Sequence, residues 1–530
     1  MNHPTRATRT APVWSLARRG VAGLLCLALA LAPSAWPQVR LPSLGESAAD
    51  EVTVAAEKRV GEQIMREVRR DPDYLDDPVL LEYLQSIWQP LVQAARQRGE
   101  IAPDIDATFA WEAFLVRDRS VNAFALPGGY VGVHLALINL TGSADELASV
   151  LAHELTHVTQ RHIARSIAVS QRQSLLALAG LILGVLAASK ANSPDAAQAA
   201  VMGSQAAAVQ GQLNFSRDME READRIGLSV LRDAGFSPSG MARMFEKLDY
   251  ANRLNDNGAY PYLRSHPLTT ERVAEAQSRL GTSAAPAGAV RPEHALMQAR
   301  ARVLMDPTVQ ARRRLQDLDK ALTNTTDDKL AALYASVLAS LQLRDFARAG
   351  EAYAAGDRLV AGGSIDARRA RAWALLGVEA AIAQGDSAAA SRRLAALPAD
   401  ASRPRMLLEA QATLLASDAA RVKRQCEVLQ SWTSDHRGDA LAWNELSSCA
   451  DRQGQPLRAV RAQAESRAAL GDWNGAIDRL RAGQRLARSG AAQDFIESSV
   501  IDSRLRELEG QRRALLDEMR GKGPQREPSQ

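Results

Sequence analysis

His153-Glu154-Leu155-Thr156-His157 holds the side chains of this chain best suited to chemistry: two histidines four residues apart, with a carboxylate between them. On a helix, four residues make just over one turn, so both imidazoles leave the same face and can close on one divalent ion. Glu154 then stands beside an open coordination position, where it could take a proton from a water acidified by the metal. This is the pattern of a zinc site that hydrolyses peptide bonds. The alternative is an amphipathic core helix whose histidines are merely hydrogen-bonded.

Around the motif the sequence predicts the helix that this chemistry needs. Ser143 and Glu146 have the spacing of a capping box. Leu147, Val150, Leu151, Leu155 and Val158 then recur at helical intervals, which predicts one helix over about 144–165. His162 falls on the opposite face of such a helix, and His134 follows a strand. Neither is expected to bind metal.

Zinc needs a third protein ligand and groups that orient the first two. The stretch from Ser216 to Asp224 supplies candidates on a second predicted helix. Glu220 and Asp224 lie four apart on one face, so one can bind metal while the other orients a histidine. Glu222 is rotated about 200° from Glu220 and is expected to face solvent.

With these residues in place the chain resembles the M48 metallopeptidases, which are zincins. The resemblance rests on His153 to His157, on Glu220 and Asp224 within Ser216-Arg217-x-x-Glu-x-x-Ala-Asp, and on Asn122-Ala123-Phe124-Ala125-Leu126-Pro127-Gly128-Gly129-Tyr130. It covers most of residues 40–280 and is similar to a periplasmic branch that joins the protease to tetratricopeptide repeats. It implies one zinc ion per chain, with Glu220 as third ligand, Asp224 as orienting partner and Glu154 as base. Arg264-Ser265-His266-Pro267-Leu268 resembles a loop in which relatives hold a histidine near the metal. His266 is thereby a candidate fourth ligand at rest, or a transition-state donor. The implied clients are unfolded or misassembled envelope proteins, outer-membrane β-barrels above all, with the β-barrel assembly machinery as docking partner.

A strand of small and apolar residues meets Pro127-Gly128-Gly129, a strong turn signal, and Tyr130 to Val133 alternates as a return strand. One strand of this hairpin, with Asn122, Ala123, Phe124 and Ala125, is a candidate edge for an extended peptide substrate. An ordinary structural hairpin is the alternative.

At 530 residues the chain has room for several domains. Arg6, Arg9, Arg18 and Arg19 precede an apolar run from Val21 to Ala32 and small residues near Ala35, which predicts a cleaved signal peptide over 1–35 and periplasmic location. An uncleaved anchor is the alternative. The net charge is +4, and the leader alone holds four Arg and no acid, so a processed chain is near neutral and nucleic acid is not an expected partner. Cys426 and Cys449 would remain, on what read as consecutive antiparallel helices, as a candidate disulfide. Two buried free thiols are the other reading. Residues 175–188 form an apolar run too short to span a bilayer. It reads as a buried hairpin, a flap over the cleft, or a surface touching membrane or client.

The expected fold is mainly α with a small β-sheet: a zincin-like α+β metalloprotease domain over 36–280, a linker over 281–291, and an α-solenoid of tetratricopeptide-like helix pairs over 292–520. The tail 521–530 is expected to be disordered. Small or Gly-Asp turns before an aromatic and Ala, best in Leu470-Gly471-Asp472-Trp473, mark the repeat junctions. Four to six helix pairs are expected. Two functions follow: a periplasmic zinc endopeptidase with a docking module, or a chaperone or adaptor for outer-membrane protein assembly with latent proteolysis.

Overall fold

The structure, a computed structural model, describes residues 52–169, 217–253, 260–279, 291–321, 325–363, 365–489 and 494–519. The expected leader, the apolar run 175–188, the tail 521–530 and the expected linker apart from Arg291 lie outside the described residues. The described residues all belong to one compact unit.

The first half is built around a four-stranded sheet of β1 (Tyr74–Leu75), β2 (Glu112–Val116), β3 (Ala123–Leu126) and β4 (Tyr130–His134), in the order β1-β2-β4-β3. β2 and β4 run parallel, the other neighbours antiparallel. β3 and β4 form the hairpin that Pro127-Gly128-Gly129 signals, and both turn glycines adopt the positive φ that such a reversal requires. β3 is left at the edge of the sheet.

Helices α1 (Val54–Arg70), α2 (Pro78–Gln97) and α4 (Leu135–Leu140) pack on β1, β2 and β4 in turn, and α3 (Pro103–Thr108) packs on α1. Trp88 of α2 is wholly buried and donates its indole N–H to Trp111 O at 2.7 Å. The motif helix α5 (Ala144–Thr159) is buried along nearly its whole length. Ser143 caps it through a bond from Glu146 N (3.3 Å), while Glu146 reaches back to Gly142 N (2.7 Å) and pairs with Lys247.

The expected single helix over 144–165 is not formed. α5 stops at Thr159, Arg161 takes a left-handed conformation (φ 51°), and a new helix α6 (His162–Val169) begins. No Gly or Pro marks this break. It is held from outside, by the Arg161 guanidinium on buried Glu57 (2.9 Å). The rest of the first half comprises α7 (Arg217–Asp233), α8 (Ser239–Arg253), α9 (Tyr262–Ser265) and α10 (Thr270–Arg279). α7 lies against α5 at Gly227, where a Cβ would come within 3.1 Å of Ala152 O, so a small residue permits that close crossing.

The second half is helical. α11 (His294–Met305) packs on α4 and α2, with His294 placed between the Tyr83 hydroxyl and Thr141 O. After α12 (Val309–Gln316), ten helices from α13 (Thr326–Gln342) to α22 (Phe495–Met519) follow among the described residues, each packed on the next. At three of the junctions between consecutive helices a left-handed residue precedes an aspartate that caps the next helix: Arg344 and Asp345, Gly385 and Asp386, Gly471 and Asp472. This recurring turn is the signal that the sequence shows at Leu470 to Trp473.

Cys426 and Cys449 form a disulfide, with Cα atoms 5.7 Å apart, joining helices Ala419–Asp435 and Ala440–Arg452. It closes a loop of 23 residues' separation. Reduction is therefore expected to lower stability by about 2–4 kcal/mol. Denaturant midpoints with and without reductant, and for Cys449→Ser, measure this.

Candidate metal centre

Four buried side chains from three places in the chain converge on one point: His153 and His157 of α5, Glu220 of α7, and His266 just beyond α9. His153 Nε2 lies 3.0 Å from His157 Nε2 and 3.3 Å from His266 Nδ1. Glu220 Oε1 lies 3.0 Å from His266 Nδ1 and 3.5 Å from His157 Nε2. Donors bonded to a tetrahedral zinc at about 2.0–2.1 Å stand roughly 3.3 Å from one another; these four spacings are close to that, and all four donors lie within 4.8 Å of one another. The donor set, three imidazoles and one carboxylate, fits zinc as well.

Electrostatics point the same way at His157 and Glu220, whereas at His153 burial is outweighed by Asp224 and Glu220, which carry the imidazole up to about 10. Burial, followed by the neighbouring His153, drives His157 well below the ordinary imidazole range, so it is held neutral as a metal ligand must be. Glu220 is ionised: burial opposes this, but His266 and His153 outweigh it and carry the carboxyl far below its usual range.

Each donor is held from behind. His153 Nδ1 meets Asp224 Oδ1 at 2.9 Å. Asp224 in turn accepts from Arg272 Nε (2.6 Å) and Nη2 (2.8 Å), and Arg272 Nη1 also lies 2.8 Å from Glu220 Oε2. That last contact is an ion pair without hydrogen-bond alignment, since Glu220 Oε2 makes no hydrogen bond. The His266 ring stacks on Tyr262 with centroids 4.6 Å apart, and its backbone N–H closes α9 on Tyr262 O.

Glu154 is wholly buried beside this cluster. Its Oε2 accepts from the backbone N–H of Ala125 on the edge strand β3 (3.1 Å). Its Oε1 makes no hydrogen bond and lies 3.4 Å from His266 Nε2. Burial pushes the Glu154 carboxyl up from its ordinary range, with His266 and His153 opposing. His134 lies away from the cluster, its Nδ1 against Ser120 O at 3.1 Å.

Residues 81–280 match the model of peptidase family M48. They form an M48 peptidase domain. The chain is 38% identical over 263 residues to the putative β-barrel assembly-enhancing protease of Vibrio cholerae, a match covering 48% of this chain and 51% of that one. It is 28% identical over 471 residues to the β-barrel assembly-enhancing protease of Escherichia coli, covering 88% and 92%. The mitochondrial metalloendopeptidase OMA1 of Saccharomyces cerevisiae is 29% identical over 195 residues, covering 36% and 53%. The protein is thus a zinc metalloendopeptidase, and His153, His157, Glu220 and His266 are a buried group that could hold its metal.

Two expectations about this M48 site are corrected. Glu222 does not face solvent: its carboxylate is mostly buried, 3.1 Å from His162 Nε2 and 2.8 Å from Arg165 Nη1. His162 is not on a far face of the motif helix, because the break at Arg161 turns it back until its Nδ1 is 2.9 Å from His157 Nδ1. Arg272 was not signalled by its own surroundings in sequence. A pair of acids as buried as Glu220 and Asp224 demands a cation, and that demand is the one clue the sequence holds.

Proposed function

We propose that this M48 peptidase is a periplasmic endopeptidase that degrades unfolded or misassembled outer-membrane β-barrel proteins. In this reading the helix-pair half docks clients or the β-barrel assembly machinery. The names and extent of the relatives support the client class, and the expected leader supports the location. No helix among the described residues is long and apolar enough to cross a membrane.

The catalytic assignment rests on one observation, the placement of Glu154 beside the donor cluster with one oxygen anchored and the other without a hydrogen bond. His153, His157 and Glu220 would hold zinc, with Asp224 orienting His153. Zinc, when bound, polarises a scissile carbonyl and acidifies water. Glu154 Oε1 takes the proton of the attacking water and hands it to the leaving amine. β3 offers its outer edge, with Ala123 to Ala125, to an extended peptide, and the Ala125 contact sets the base against that strand.

A second reading is favoured by the fourth donor. His266 completes a four-ligand set of the closed kind that structural sites show, so the resting protein would be latent and act chiefly as chaperone or adaptor. Exposing the purified processed protein, with zinc quantified, to one outer-membrane β-barrel in unfolded and folded forms separates the two. Cleavage of the unfolded form alone, several-fold faster for His266→Ala, is expected. If neither protein cleaves with zinc bound, the chaperone reading replaces the protease.

A further inference from the structure

The two histidines of the motif are supported in different ways. His153 is backed directly by a carboxylate, Asp224. His157 is backed by a second histidine. Its Nε2 faces the donor cluster, so that nitrogen carries the lone pair and Nδ1 carries the proton. Nδ1–H needs an acceptor in a wholly buried place, and His162 Nδ1 stands there at 2.9 Å, the rings meeting edge to face. An imidazole that accepts at Nδ1 bears its own proton on Nε2. His162 Nε2 lies 3.1 Å from Glu222 Oε2, which accepts it, and Arg165 Nη1 holds the same oxygen at 2.8 Å.

We infer that His162 and Glu222 form a relay of positioning residues that fixes the tautomer and ring orientation of His157 as a metal ligand, with Arg165 fixing the carboxylate. The chain of donors runs one way, from His157 to His162 to Glu222. Its parts come from both sides of the break at Arg161 and from α7, so the left-handed turn that ends the motif helix is what allows it. Glu220 and Glu222 are two residues apart on α7, on different faces. One meets the donor cluster and the other grips the support of a second ligand.

The inference rests on the reading of His157 as a zinc ligand, and His157→Ala tests that separately. The measurement is the zinc dissociation constant of the processed full-length protein by chelator competition, with kcat per bound zinc alongside. His162→Leu keeps apolar bulk but removes the acceptor, and is expected to weaken zinc binding by about 10- to 100-fold. His162→Asn places an amide oxygen near the former Nδ1 and is expected to recover most of that loss. Glu222→Ala, at the more accessible end, is expected to weaken binding about tenfold, and carries the test should the Leu variant fail to fold. Zinc affinity within twofold of wild type in Glu222→Ala and in any folded His162→Leu overturns the relay. So does an Asn variant no better than Leu, which would leave His162 a packing residue. If His157→Ala itself keeps zinc at wild-type affinity, the ligand assignment fails instead.

Discussion

Glu154→Gln is expected to lower kcat for peptide hydrolysis by about 10²- to 10⁴-fold, the span that a positioned proton-transfer group commonly supplies, with zinc still bound. The substitution is nearly isosteric. The Gln carbonyl oxygen can keep the bond from Ala125 N–H that Glu154 Oε2 now accepts at 3.1 Å. The amide nitrogen then occupies the place of Oε1, the oxygen without a hydrogen bond. An amide cannot take up the proton, so the base is lost while strand and cluster stay in place. Burial already raises the Glu154 carboxyl, which makes it a better proton acceptor than a solvated glutamate. Steady-state kinetics on a quenched peptide, with zinc content measured on the same sample, decide it. A variant that keeps both zinc and turnover would remove Glu154 from the reaction.

The second large effect is on stability, at Arg300. This side chain of α11 is buried and bonds Asp77 through two nitrogens (both 2.7 Å), Glu379 (2.9 and 3.1 Å) and the Tyr334 hydroxyl (3.0 Å). Asp77 also caps α2 of the protease half through Leu80 N, whereas Tyr334 and Glu379 belong to the helix pairs. Arg300→Met leaves two buried carboxylates facing each other without a cation. Breaking a buried pair from one side costs about 3–5 kcal/mol, to be read from denaturant unfolding of the full chain. Adding Asp77→Asn and Glu379→Gln to Arg300→Met is expected to restore most of it, because the isosteric amides remove the unpaired charge and Asn keeps the cap. If the single variant is as stable as wild type, this ion cluster does not hold the two halves together.

Arg300 is one of several such links. Arg403 pairs with Asp76 (2.6 Å) and Asp439 (2.8 Å), and Arg371 with Glu82 (2.7 Å). The Arg66 guanidinium of α1 lies over the Trp473 ring at 4.9 Å.

The sequence by itself determined the chemistry of the centre. A helix repeats every 3.6 residues, so the spacings of His153 with His157 and of Glu220 with Asp224 already place each pair on one face of its own helix. Pro127-Gly128-Gly129 likewise determined the hairpin, since the chain must reverse there, and the Gly-Asp turns marked helix junctions. His266 was found through the resemblance alone, because a lone histidine before proline carries no periodic signal.

Only the tertiary structure decided what meets what. The break at Arg161 has no local marker and is held by Glu57, 104 residues earlier in the chain. That break converts His162 from a distant residue into the support of His157, and Glu222 from a presumed surface acid into its anchor. Arg272 and Arg300 entered as bare cations in sequence and became the partners of buried acids. The physical reason is common to all of them. Periodicity states which way a side chain leaves its own helix axis, whereas hydrogen bonds and ion pairs across elements depend on how the axes cross, and close packing of the whole chain sets that.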